Sequence, residues 1–239
     1  GTTGECSKNV IGKDIEETVF MIDSNGCVDQ ETWTKRSMPK ICPQDPNDIS
    51  GPEGYDSLRW VSVSNEMDYT VRFENDPIFA TANAANVLIT VPIDDDIDPF
   101  SFRLENLGFG DKIIEVPDNS AFFQQRIDYS ADLGFMLDVT AGLDLPNSRF
   151  FWLLETIDPL TGQSPTDPTA GFLPVNDTLT GSGEGYVNFT CKPKSNSQTG
   201  AVVSHQASII FDVNDPLLTN TWSNSIDAFA PITFSVELP

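Results

Sequence analysis

Alternation of apolar and polar side chains is the strongest signal in this chain, and it recurs from one end to the other. Met67-Asp-Tyr-Thr-Val-Arg-Phe-Glu74 places Met67, Tyr69, Val71 and Phe73 on one side and Asp68, Thr70, Arg72 and Glu74 on the other. Ala201 to Asp212 repeats the pattern, with Ala201, Val203, His205, Ala207, Ile209 and Phe211 on one face. A period of two sustained over more than four residues is that of a half-buried β-strand. Shorter runs at Thr18–Ile22, Val28–Thr34, Ser57–Val63, Asn86–Val91, Phe100–Asn106, Lys112–Val116, Ala121–Tyr129, Gly134–Thr140 and Tyr186–Lys192 predict further strands. Ser148–Ile157 is apolar on both faces, as a central strand is. Turn signals every 8–12 residues separate these runs, and that spacing indicates an antiparallel sandwich or barrel. No stretch carries a helical period beyond two turns; Ala80–Ala85 is expected to form one short turn.

The breaks carry as much information as the strands. Ser24-Asn25-Gly26 supplies the positive φ of a tight hairpin and predicts that 17–36 folds back on itself. Pro39 to Tyr55 holds four prolines and two glycines and is expected to be a linker or ordered crossover. Asp158 to Gly185 is a long, proline-punctuated loop that needs packing or function to order it, and Phe172, Leu173 and Val175 can pin it. Tyr186–Lys192 and Val202–Asp212 are expected to pair as a hairpin across Pro193–Gly200. The chain then reads as an N-terminal disulfide-stapled hairpin segment over 1–44, a β-sandwich domain over 45–229 and a C-terminal linker or donor strand over 230–239. That last segment alternates again through Ile232, Phe234, Val236 and Leu238. It can enter its own sheet, begin a following domain or add to the edge of a neighbouring copy.

Composition places this fold outside the cell. The 239 residues carry a formal charge of −23, with 24 Asp against 12 Glu and a sequence pI near 4.1. Asp favours turns and disfavours helix, so the ratio fits a loop-rich β protein. The charge would repel nucleic-acid phosphates and anionic membrane surfaces, and no apolar run reaches membrane-spanning length. No signal peptide is visible, so the chain reads as a mature or excised extracellular piece. The four cysteines, Cys6, Cys27, Cys42 and Cys191, lack zinc-site spacing, and their even number suits disulfides in an oxidising compartment. Three pairings are open; a local Cys6–Cys27 staple with Cys42 clamped to Cys191 is one, and a buried free Cys191 is the alternative. Asn176-Asp-Thr and Asn188-Phe-Thr are N-glycosylation sequons if the source is a secretory eukaryote.

From Asp45 onward the chain resembles a repeat domain, conserved and without assigned function, of very large bacterial cell-surface proteins. The resemblance is carried by Asp45-Pro-Asn-Asp-Ile with Gly51-Pro-Glu-Gly54, by Tyr69-Thr-Val-Arg-Phe-Glu-Asn-Asp-Pro77, and by Asp138-Val-Thr-Ala-Gly-Leu-Asp144. It continues through Ile157-Asp-Pro, Gly171-Phe-Leu-Pro174, Gly183-Glu-Gly-Tyr-Val187 and Ala207-Ser-Ile-Ile-Phe-Asp-Val-Asn-Asp-Pro216, and ends at Thr219-Asn-Thr-Trp222 and Ile226-Asp227. It implies an immunoglobulin-like β-sandwich, an extracellular setting and a structural or adhesive role, and it brings no catalytic residues. Cys191 stands where that family more often has an aliphatic residue, and the first 44 residues are not covered.

Candidate chemistry is sparse. Asp94, Asp95, Asp96 and Asp98 form an acidic loop bracketed by prolines and are the candidate calcium ligands, because calcium takes six to eight oxygens from clustered carboxylates and carbonyls. Asp76, Asp138, Asp144, Asp212, Asn214, Asp215 and Asp227 also stand at strand ends, where they can share a cation or simply cap turns. Asp23, Asn25, Asp29 and Glu31 match only part of a calcium-loop pattern and read as turn chemistry. His205, the only histidine, falls on a buried face and reads as a packed core residue. No nucleophile elbow accompanies it, and Gly181-Ser-Gly-Glu-Gly185 lacks the lysine of a phosphate loop. Trp152 reads as core, while Trp33 and Trp60 are candidates, with Trp222, for a sugar-stacking platform. Two functions are therefore expected: a non-catalytic structural or adhesive module linked to neighbouring domains or copies of itself, or a carbohydrate-binding module.

Overall fold

The computed structural model describes residues 15–22, 28–35, 47–167 and 169–229. The chain divides into two compact units, 1–45 and 46–239. In the first, β1 (Ile15–Ile22) and β2 (Val28–Lys35) form an antiparallel hairpin in which Ile22 is paired with Val28 and Ile15 with Lys35. This is the hairpin that Asn25-Gly26 predicts.

The second unit is an antiparallel β-sandwich. One sheet has five strands: β3 (Asp48–Ser50), β5 (Met67–Glu74), β12 (Glu184–Pro193), β7 (Ile97–Phe109) and β8 (Lys112–Ile114), in that order. The other has six, in the order β15 (Leu217–Leu218), β14 (Ser208–Phe211), β6 (Asn86–Pro92), β11 (Arg149–Ile157), β10 (Phe135–Asp144) and β9 (Phe122–Tyr129). A third, three-stranded sheet joins β13 (Val202–His205), β16 (Trp222–Asp227) and β4 (Trp60–Ser62). The described residues contain no α-helix. In place of a helical turn over 80–85, Ala80 N–H closes one turn earlier onto the Asp76 carbonyl at 2.8 Å.

The two large sheets meet through their aromatic residues. Phe102 of β7 stacks on Phe150 of β11 with ring centroids 4.1 Å apart, and Trp152 of β11 packs 5.4 Å from Phe189 of β12. All four are fully buried. Each such ring contributes about 1.5–3 kcal/mol by leaving water. The alternation read along 67–74 and 201–212 is realised residue by residue, with every inward position of both runs buried except the half-buried Ala201. The long 158–183 loop is held by Phe172 and Leu173. Phe172 N–H donates to Thr156 Oγ1 at 2.9 Å, and Leu173 bridges Ala84.

The expected pairing of 186–192 with 202–212 is not made. β12 lies between β5 and β7, whereas 202–212 is two strands in two different sheets. The switch falls at Gln206-Ala207. There Ala207 N–H donates to Thr219 Oγ1 at 2.9 Å, Gln206 Nε2 donates to the Thr219 carbonyl at 2.7 Å, and Thr219 N–H returns to the Ala207 carbonyl at 3.0 Å. These bonds satisfy the backbone where no ladder continues.

Registers also orient the second unit. Glu74, Glu184 and Phe109 lie together at one pole with Asn47, which accepts from Glu74 N–H. Met67, Cys191, Pro193 and Ile97 lie toward the other pole. β16 runs toward that second pole, where the Ala228 N–H meets Thr199 Oγ1 at 2.9 Å. The described chain of this unit therefore enters at one pole and leaves at the opposite one.

Candidate functional site

The acidic loop is built on backbone capping. Asp94 accepts from Asp96 N–H at 2.9 Å through one oxygen and from Ser204 N–H at 3.0 Å through the other. Asp98 accepts from Phe100 N–H, and Asp96 accepts from the Ser197 hydroxyl at 3.0 Å. Lys194 Nζ reaches the Asp95 carbonyl. Among the described residues no three acidic, histidine or cysteine side chains converge on one point. Several other carboxylates at strand ends and turns also cap the backbone. Asp76, Asp158 and Asp177 each accept from the N–H two residues on, and Asp212 accepts from Ala85 and Asn86 N–H. Asp138 is held by a two-pronged Arg126 contact at 2.6 Å, which keeps its carboxyl below the usual range. Hydrogen bonds from Asn147 and Arg149 do the same for Asp144.

Cys191 is fully buried and has no disulfide partner among the described residues. Burial, with the Glu66, Asp68 and Asp94 carboxylates nearby, pushes the thiol far above its ordinary pKa, so it is inert as a nucleophile. Cys6, Cys27 and Cys42 lie outside the described residues. His205 is likewise core. Its Nε2 is 4.0 Å from Cys191 Sγ, and its ring meets the Tyr69 ring edge-on at 4.7 Å. Burial lowers its pKa to about 4, against the opposing pull of the Asp94 carboxylate and the Pro92 carbonyl.

The two sequons are occupied by structure. Asn176 is buried, its Nδ2 donating to Glu74 at 2.8 Å and Glu184 at 3.2 Å while its Oδ1 accepts from Gly183 N–H at 3.0 Å. A glycan on that nitrogen would displace both carboxylate contacts. Asn188 lies mid-sheet in a cross-strand row, accepting from Thr70 at 2.8 Å and donating to Asn106 at 2.7 Å.

The described tryptophans have three different settings. Trp152 is in the core, and Trp222 lies under the Arg59 guanidinium, 3.9 Å from its ring centroid. Trp60 lines an open groove of about 500 Å³ with the exposed Tyr55 and with Ser62, Thr199 and Asp227. The side chain of Trp33 and the whole 230–239 segment, with Ile232, Phe234, Val236 and Leu238, lie outside the described residues.

Sequence reasoning missed the arrangement that ties the beginning of the domain to its end. Asn220 pairs with Ile49 as a backbone would, its Nδ2 donating to the carbonyl and its Oδ1 accepting the N–H, both at 2.9 Å. Asn224 Nδ2 donates to the Pro52 and Arg59 carbonyls, each at 2.9 Å, and Trp222 Nε1 donates to Pro52 at 3.3 Å. Strands β4 and β16 then pair in parallel, with Trp60, Val61 and Ser62 beside Ser225, Ile226 and Asp227. Gly51 permits this approach, since a Cβ there would meet the rings of Tyr69 and Trp222. The available signal was Asn224 itself, a polar side chain between two apolar positions that is fully buried and so must be bonded.

Among the described residues these features define a sandwich module without α-helix, whose polar side chains serve turns and strand junctions. The chain belongs to the domain-of-unknown-function family DUF7619, whose model matches residues 45–123 and 171–225, more than half of the sequence and including both tied segments almost entirely. No curated protein matches the sequence. Among solved structures, the chain is similar to the N-terminal domain of the Streptococcus gordonii adhesin Sgo0707, at 10% identity over 78% of this chain and 33% of that one, with a TM-score of 0.41. It is similar to the C-terminal domain of the Streptococcus pyogenes antigen I/II-family protein AspA, at 13% identity over 77% and 53%, TM-score 0.43. A third is the C-terminal fragment of the Streptococcus agalactiae major pilin GBS80, at 7% identity over 75% and 55%, TM-score 0.38. The chain thus spans a third to about half of the length of these structures, and the scores lie below the level that marks a common fold.

Proposed function

We propose that the protein is a non-catalytic structural module of an extracellular or cell-surface assembly, set in line between neighbouring domains or copies of itself. The observation that carries this reading is the polarity of the sandwich: the described chain enters beside Asn47 at one pole and leaves beyond Ala228 at the other. A module threaded in that way transmits position along an array and needs no reaction centre. The resemblance of 45–227 to a repeat domain of large bacterial surface proteins supports the same setting. The alternating segment Ile232, Phe234, Val236 and Leu238 is the proposed link to the next unit, because an extended apolar strand gains most by joining an existing sheet edge. Labelling intact cells of the producing organism with an antibody to the 46–239 unit tests the location; signal only after lysis overturns it. Deleting Ile232–Pro239 and measuring assembly mass by light scattering tests the link, and unchanged mass removes it.

The Tyr55–Trp60 groove favours a second reading, glycan binding, since an exposed aromatic ring beside hydroxyl and carboxylate groups suits a sugar face. Tryptophan fluorescence that ignores a panel of oligosaccharides, in the wild type and in Tyr55→Ala alike, removes it.

A further inference from the structure

We infer that this domain bears tension along its own axis, and that the tie between its first and last segments is the element that resists it. The inference deepens the structural reading above and rests on it.

The geometry is specific. Residues 49–52 and 60–62, joined by a turn that the antiparallel Tyr55–Trp60 bridge closes, each run beside 220–227 in its direction, and the contacts advance together: Ile49 with Asn220, Pro52 with Trp222 and Asn224, Arg59 with Asn224, Trp60 with Ser225, Ser62 with Asp227. The side-chain bonds among them span 165 to 172 residues of sequence. Force arriving from the N-terminal side pulls the first segment toward the entry pole. Force arriving from the C-terminal side pulls β16 toward the exit pole. For two parallel neighbours these pulls are opposed along the strand axis, so the strands must slide past one another. Sliding strains every bond between them at once, because each inter-strand bond lies across the strand direction. Pulling two adjacent strand ends apart sideways would instead break the bonds one after another.

The supporting side chains extend the tie beyond the three-residue ladder. Asn220 adds two amide bonds to an edge strand, β3, that has only three residues of its own. Asn224 is fully buried and clasps two carbonyls on the opposite segment. Arg59 lies over the Trp222 ring and covers the ladder where β4 begins. None of these contacts is needed to close the main core, which the aromatic residues of the two large sheets supply.

Single-molecule force spectroscopy on the full chain is the test, in two pulling geometries. With handles at the two chain termini, the domain should open in one step that releases about 600 Å of chain, the span from Asp48 to Asp227 at about 3.3–3.6 Å per residue. With one handle at exposed Ser64, introduced by non-cysteine chemistry, and the other at the C-terminus, β4 and β16 are peeled from their adjoining ends. The end-to-end opening force should exceed the peeling force roughly two- to threefold, as three register pairs share the load together instead of in turn. Equal forces in the two geometries overturn the inference. Asn220→Ala should lower the end-to-end force and leave the peeling force unchanged; the reverse pattern, or no change in either, overturns the role of that side chain. A weak domain would still leave the surface-module reading standing, and labelling only after lysis would leave the force comparison unaffected.

Discussion

Replacing the lone histidine should change how stability depends on acidity, and the size of the effect follows from its burial. His205 lies against Cys191, Tyr69 and Phe189, with the Asp94 carboxylate opposing a burial effect that nonetheless holds its pKa near 4. In the unfolded chain the same group titrates near 6.5. Between those values the unfolded state takes up a proton that the folded state refuses, so stability falls as the pH drops from about 6.5 to about 4. At about 1.4 kcal/mol per pH unit the interval is worth about 3 kcal/mol. Urea unfolding at a series of pH values between 4 and 8 measures it. His205→Phe, which keeps an aromatic ring beside Tyr69 and Phe189, should flatten the wild-type slope in that window and leave the curves parallel above pH 7. Because the chain has one histidine, a single imidazole resonance reports the folded-state value directly. Curves that stay parallel down to pH 4, or a folded-state titration near 6.5, would refute the placement of this ring in a dry core.

Further outcomes follow from other contacts. Asn176→Ala should cost about 2–4 kcal/mol in urea, since it strands the buried Gly183 N–H and leaves the Glu74 and Glu184 carboxylates facing one another; mass spectrometry of material from a secretory eukaryotic host should find Asn176 unglycosylated. Gly171→Ala should cost about 1–3 kcal/mol, because its Cβ would meet the Ala84 backbone where the long loop is pinned. Phe102→Ala should cost about 3–5 kcal/mol by opening the contact between the two large sheets. Calorimetric unfolding with calcium and with chelator tests the ion expectation for Asp94–Asp98. Carboxylates already engaged by Asp96 N–H, Ser204 N–H and Phe100 N–H predict an unchanged midpoint, and a raised one would mean that the loop rearranges to hold the ion.

The face each strand buries was readable from the chain; the neighbour it pairs with was not. Alternation from Ala201 to Phe211 marks the inward positions through its whole length, and that continuity hides the switch of sheets at Gln206-Ala207. Period two reports which side faces the core and carries nothing about lateral partners, so the expected 186–212 hairpin failed while its burial pattern held. Phe172 and Leu173 were legible as anchors because apolar residues in a polar loop have few alternatives. Asp94–Asp98 was ambiguous in principle, as the carboxylate that can ligate an ion can equally cap a turn, and the chain alone does not place the backbone N–H groups that these carboxylates meet. The Asn220–Ile49 tie was invisible because its partners are 171 residues apart and neither belongs to a local pattern.

That separation has a kinetic side. A chain emerging from its N-terminus can pair β3 with β5, β7 with β8 and β9 with β10 early, but cannot fasten β4 until β16 has arrived. This pairing is the most distant in sequence and gains no bond until the final strand docks. A chain that has not yet delivered Trp222–Asp227 therefore stays open at that seam. Arrival of β16 is itself the event that locks the domain.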